Sequence, residues 1–124
     1  MGVLAKRVLL VEANPGLREY LQLRLRKEGY IVHAADWDVE TSFEDHVDVA
    51  LLGLGDLGEE GLAMMDRIHA VSPNTPIIAM APEAHFKLSL AARKHGAFDD
   101  IQVPFDLQEL LRKLHAACAT NEAT

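Results

Sequence analysis

Val47-Asp48-Val49-Ala50-Leu51-Leu52-Gly53-Leu54 is an apolar run of strand length that ends among glycines, at positions 53, 55, 58 and 61. A run this short with no polar alternation reads as a strand buried on both faces, which is the environment of a parallel sheet covered by helices. The glycines open the loop that follows it. Val8 to Val11 and Ile77 to Met80 are two more runs of the same kind, and Tyr30 to Ala34 and Phe98 to Val103 read as two further strands. Segments of helical period separate them, so strands and helices alternate.

The first helix begins at Asn14-Pro15, where Asn14 can cap free amides and Pro15 has the backbone angle of a first turn. Leu17, Tyr20, Leu21 and Leu25 mark its apolar face, Arg18, Glu19, Arg24, Lys27 and Glu28 lie largely outside, and Gly29 ends it. A short helix is expected around Val39 to Glu44. Leu62, Met65 and Ile68 or His69 mark a third helix, and Pro82 sits in the first turn of a fourth that runs to about Lys94, with Gly96 as its stop. Asp106 caps a fifth, with Glu109 three residues on, above a stripe of Leu107, Leu110, Leu111 and Leu114. Five strands and five helices give a single α/β domain over residues 1–124, a (βα)5 doubly wound sheet with its core at about 6–118 and a frayed tail from Ala119 to Thr124.

Composition narrows the function. The chain has 124 residues, 49% apolar and 25% charged, and a mean hydropathy near zero, as expected of one soluble domain. A net charge of −7 disfavours nucleic acid or an anionic membrane as the main partner, because either needs a cationic footprint. Cys118 has no second cysteine to pair with and reads as a small core residue. No apolar window reaches the length of a membrane span, so a cytoplasmic location is expected. The six histidines, at 33, 46, 69, 85, 95 and 115, lack the spacing of a zinc site and read as scattered surface residues. No metal or other cofactor is expected.

Four blocks carry a likeness to a known family: Arg7-Val8-Leu9-Leu10-Val11-Glu12-Ala13-Asn14-Pro15, Asp48 to Gly53 with Glu60-Gly61-Leu62, Pro76 to Met80, and Gly96 to Phe105. In this order and spacing they resemble the receiver domain of bacterial response regulators, the CheY-like fold. The resemblance covers the chain from about Lys6 to Cys118, and with the short connections it implies the flavodoxin-like strand order 2-1-3-4-5. Such a sheet presents its site at the carboxyl ends of strands one, three and four.

The residues at that site depart from the family pattern. The resemblance places the phosphoacceptor aspartate at Gly53, which has no carboxylate to attack phosphorus. It places a magnesium-binding acid at Ala13, leaving Glu12 alone, too few hard oxygens for a magnesium cage. The hydroxyl and the lysine that would meet the phosphoryl oxygens fall at Ala81 and Val103, the switch aromatic at Asp100 and a loop proline at Leu57. The emptied pocket is expected to repack as apolar or solvated surface. Asp56, Glu59 and Glu60 on the glycine-rich loop read as a solvated acidic stretch, with Asp56 able to approach Glu12. The glycines themselves lack the spacing of a phosphate loop.

The resemblance therefore implies a degenerate pseudo-receiver, a phosphorylation-independent module of a two-component phosphorelay or related pathway that acts by protein–protein contact and is not an enzyme. Its partner is a regulator, kinase or effector domain, or a second copy. The face that receivers commonly use would draw on Phe86, Lys87, Leu90, Lys94, Asp100, Gln102, Gln108 and Arg112. Arg18, Arg24, Arg26 and Lys27 of the first helix read as a solvated face mixed with Glu19 and Glu28. Two alternatives remain at this point: a small-ligand-binding domain that uses the emptied pocket, and a receiver phosphorylated on a non-standard acid such as Asp56 or Glu12.

Overall fold

A computed structural model describes residues 5–35, 46–55, 59–82 and 86–122. Five strands, β1 (Arg7–Val11), β2 (Ile31–Ala35), β3 (Val49–Gly53), β4 (Ile77–Pro82) and β5 (Asp99–Val103), form one parallel sheet in the order β2-β1-β3-β4-β5. The described helices are α1 (Pro15–Lys27), α2 (Glu59–Val71), α3 (Phe86–Lys94) and α4 (Leu107–Glu122). The expected helix around Val39 to Glu44 lies outside the described residues.

Side-chain alternation along each strand divides the interior in two. Val8 and Leu10 of β1 join Val49, Leu51, Ile78, Met80 and Ile101 on one face, where Leu21 and Leu25 of α1 and Leu110, Leu114 and Ala117 of α4 cover them. Leu9 and Val11 turn to the other face with Ala50, Leu52, Ile77 and Ala79, under Met64, Met65 and Ile68 of α2 and Ala92 of α3. β3 is buried at every position, which is why its sequence shows no alternation. Cys118 lies in the first core, as its apolar surroundings suggested.

The helix ends follow from local chemistry. Asn14 Oδ1 accepts the Leu17 N–H at 3.0 Å, and Asp106 Oδ1 accepts that of Gln108 at 3.0 Å. Gly29 and Gly96 take φ of 96° and 92° just past α1 and α3, in the left-handed region that glycine enters without strain.

Several expectations need correction. Tyr20 is 45% exposed, since it stands about a third of a turn from the line through Leu21 and Leu25 that faces the sheet. Pro82 closes β4 opposite Val103 and so is not part of a helical first turn, while the described α3 spans Phe86–Lys94; proline is tolerated at a strand end where its missing N–H breaks no ladder. α4 continues to Glu122 through the expected tail, anchored by buried Ala117 and Cys118. No described helix is long and apolar enough to cross a membrane.

Candidate functional site

Four of the site positions sit at the carboxyl ends of three adjacent strands. Glu12 and Ala13 follow β1, Gly53 ends β3, and Ala81 is the penultimate residue of β4. Val103 ends β5, one strand further out. Ala81 is fully buried in the α2–α3 core, and Val103 is half-buried against the opposite core, so both contribute apolar contact. Ala13 is exposed.

Glu12 is the buried acid among these positions. It is only 8% exposed, and its Oε2 accepts the Asn14 backbone N–H at 2.9 Å. Its carboxylate stands directly over Gly53: a Cβ at that position would overlap Glu12 Oε1 and lie 2.7 Å from Cδ and 3.1 Å from Oε2. Glycine at 53 is what leaves room for the acid. A buried carboxylate needs donors, and the turn into α1 supplies one through an amide freed from helix bonding. Arg18 Nη1 donates to the Glu12 carbonyl at 2.9 Å, and the Arg18 N–H donates to the Asn14 carbonyl at 2.9 Å. The acid, the cap and the first turn of α1 form one hydrogen-bonded unit. Among the described residues, no group of three or more His, Cys, Asp or Glu side chains is placed to hold a metal ion. Asp56 lies outside the described residues, Glu60 is exposed, and of the Glu59 side chain nothing is described.

A second polar cluster covers the outer edge of β5. Arg93 Nε donates to Asp100 Oδ1 at 2.6 Å and Arg93 Nη2 to Asp99 Oδ1 at 2.7 Å. Lys113 Nζ donates to the Asp100 carbonyl at 2.5 Å and to Asp99 Oδ1 at 3.3 Å, with Glu109 3.8 Å away. The hydrogen bond to Asp100, followed by the charge of that carboxylate, raises the Arg93 pKa further and keeps the guanidinium charged. A cleft of about 290 Å³ opens here between Arg93, Gln102, Glu109 and Lys113.

Of the face expected from sequence, Lys87, Leu90, Lys94, Gln102, Gln108 and Arg112 are exposed. Asp100 is half-buried in the Arg93 pair, and the Phe86 side chain is not among those described. Arg93, Asp99 and Lys113 did not stand out in the sequence. Only the Glu109–Lys113 spacing of four on one helix signalled any part of that network. His33, His46, His95 and His115 are exposed and His69 is half-buried, while His85 lies outside the described residues.

The profile of the family described as response regulator receiver domain matches residues 8–115 of this chain. The chain belongs to that family. Its fold is thus that of a receiver, the signalling domain of two-component response regulators that interacts with kinases and effector domains. Among curated proteins, the virulence transcriptional regulatory protein PhoP of Salmonella typhimurium is 28% identical over 118 residues, covering 93% of this chain and 53% of the relative. The receiver chain thus spans about half the length of the curated relatives it matches. Among solved structures, the N-terminal signal receiver domain of a Bacteroides fragilis response regulator has a TM-score of 0.83 at 26% identity, covering 92% of this chain and 97% of that one. A CheY-like receiver from Methanospirillum hungatei has a TM-score of 0.84 at 24% identity, covering 96% and 98%, a likeness of fold.

Proposed function

We propose that this receiver domain signals without phosphorylation, through protein contacts made by its surface. The observation that carries this is the Glu12 carboxylate lying over Gly53, in the volume where the resemblance to receivers puts the acceptor side chain. Ala13 offers no side-chain oxygen for a cation, and the side chains of Ala81 and Val103 offer no donor to a phosphoryl group.

The contact surface we assign is the side made by α3, β5 and α4. Lys87, Leu90, Lys94, Gln102, Gln108 and Arg112 are exposed there around the Arg93–Asp99–Asp100–Lys113 network. Leu90, 52% exposed and flanked by lysines, suits an apolar centre with a charged rim. The partner we infer is a cytoplasmic kinase, an effector domain or a second receiver. PhoP bears the name of a transcriptional regulator, which makes an effector domain on the same polypeptide a natural candidate.

Incubation with acetyl phosphate, or with beryllofluoride and magnesium, followed by intact-mass and NMR measurement, tests the first half. No adduct and no magnesium-dependent shift are expected, and a stable acyl phosphate would refute it. Sedimentation and partner binding after charge reversal at Lys94 or Arg112 test the second; unchanged association would remove this face from consideration.

A further inference from the structure

We infer that Glu12 is a built-in occupant of the pocket, inserted over Gly53 and clamped to the start of α1, so that any side chain at position 53 expels it and loosens that helix start. The inference rests on the reading that the pocket takes no phosphoryl group. It adds what holds the Glu12 carboxylate over Gly53 and the element to which that placement is tied.

Three observations meet here. A Cβ at Gly53 would lie 2.7 Å from Glu12 Cδ, closer than atoms tolerate, and the nearest atoms it would meet all belong to the Glu12 side chain. The nearest obstruction is thus the far end of a movable side chain, which a substitution can displace at less cost than backbone. Second, Glu12 is buried and its Oε2 is satisfied by the Asn14 N–H. Third, Asn14 also caps α1 through Leu17 and receives the Arg18 N–H on its carbonyl, while the Arg18 side chain returns to the Glu12 carbonyl. Expelling the acid removes one bond of this closed set and unlocks the turn that aims α1. The outer ridge of that helix carries Tyr20 and Leu23, both exposed.

The test is a double-mutant cycle with Gly53→Ala and Glu12→Ala, read by urea unfolding and by the Asn14 and Leu17 amide signals in NMR, with Glu12→Gln as a further background. In the parent and in the Glu12→Gln background, Gly53→Ala is expected to raise the unfolding constant by at least about threefold more than it does in the Glu12→Ala background. In the Gly53→Ala single variant the Asn14 amide signal should move to where Glu12→Ala puts it, with Leu17 following. If Gly53→Ala does not fold but folds once Glu12→Ala is added, that rescue supports the inference equally. An additive cycle, an unmoved Asn14 signal, or loss of folding that Glu12→Ala does not rescue overturns it. The cycle uses no phosphodonor, so its failure is distinct from the appearance of an acyl phosphate on the unaltered chain, which would strike the functional reading.

Discussion

Replacing Gly53 with aspartate puts a second carboxylate into a space already held by Glu12, and the cheaper of two responses sets the outcome. If both acids stayed, charges about 3 Å apart would repel by roughly 5 kcal/mol at an effective dielectric constant of about 20. If Glu12 swings out to water, the protein loses the charge-assisted bond from the Asn14 N–H, worth about 1.5–3 kcal/mol. The second route wins. Unfolding 124 residues carries an entropy near 0.26 kcal/mol/K, at about 2.1 cal/mol/K each, so Gly53→Asp should melt about 6–12 °C below the parent. Magnesium should rescue little, because Ala13 adds no ligand. With a dissociation constant above about 10 mM, 10 mM magnesium stabilises by less than about 0.4 kcal/mol, under 2 °C or so. Thermal melts of parent and variant with and without 10 mM magnesium decide the matter. A variant that melts at or above the parent, or that magnesium restores by many degrees, refutes the reasoning.

Other perturbations have clear signs. Burial, and then the nearby Cys118 and Glu28, raise the Tyr30 pKa, so the folded state holds that proton more tightly than the unfolded one; its contribution is intact below about pH 10 and is lost as pH rises through the folded value. Tyr30→Phe should therefore flatten the decline of urea midpoints above pH 10. Asp48 is 8% exposed and accepts the Arg7 N–H at 2.7 Å and a His46 Nε2 contact at 2.8 Å, so Asp48→Ala should destabilise by about 1–3 kcal/mol. His46 is largely exposed, and His46→Ala should change the melting temperature far less. Arg93→Ala should cost about 1 kcal/mol or less, falling further in high salt, since its side chain is half exposed. A loss of several kcal/mol there would mean that the network holds β5 in place.

β1, β3 and β4 were legible because each is a nearly uninterrupted apolar run, and burial on both faces demands that composition; β2 and β5, with His33 and with Asp99, Asp100 and Gln102, are only partly buried and were marked more by the turns around them. The caps at Asn14 and Asp106 were legible for the same local reason, since their partners lie two or three residues away. Pro82 was not: a proline suits a first helical turn and a strand end alike, and only its placement opposite Val103 decides between them. Tyr20 was misread because helical spacing brings it near the apolar face without saying how far the sheet reaches around the helix. At the site, the residue types at 12, 13, 53, 81 and 103 were plain, yet the posture of Glu12 was not. That posture depends on the distance between β1 and β3 and on a free amide at Asn14, quantities that no local pattern encodes. The Arg93–Asp99–Lys113 network eluded sequence for the same reason, because its members come from three elements.

On the proposed reading, the substitutions around Glu12 depend on one another energetically. Acids crowded at the end of a sheet repel unless a cation sits among them, and a cation binds only if enough oxygens converge. With alanine at 13 and glycine at 53, Glu12 lacks the carboxylates those positions would supply, and a carboxylate in that position must reach water or find a donor. The Asn14 amide is such a donor, and the missing side chain at 53 opens the way to it. Ala81 and Val103 fit the same logic, since a hydroxyl or ammonium group left there without a phosphoryl partner would be a polar group in apolar surroundings. Restoring the acid at 53 alone therefore recreates a cost that a second acid, completing a cation site, must offset. A graded series that adds aspartate at 53, then at 13, then threonine at 81 and lysine at 103, should lose stability at the first step. Stability and magnesium affinity should return together only after the second acid is in place.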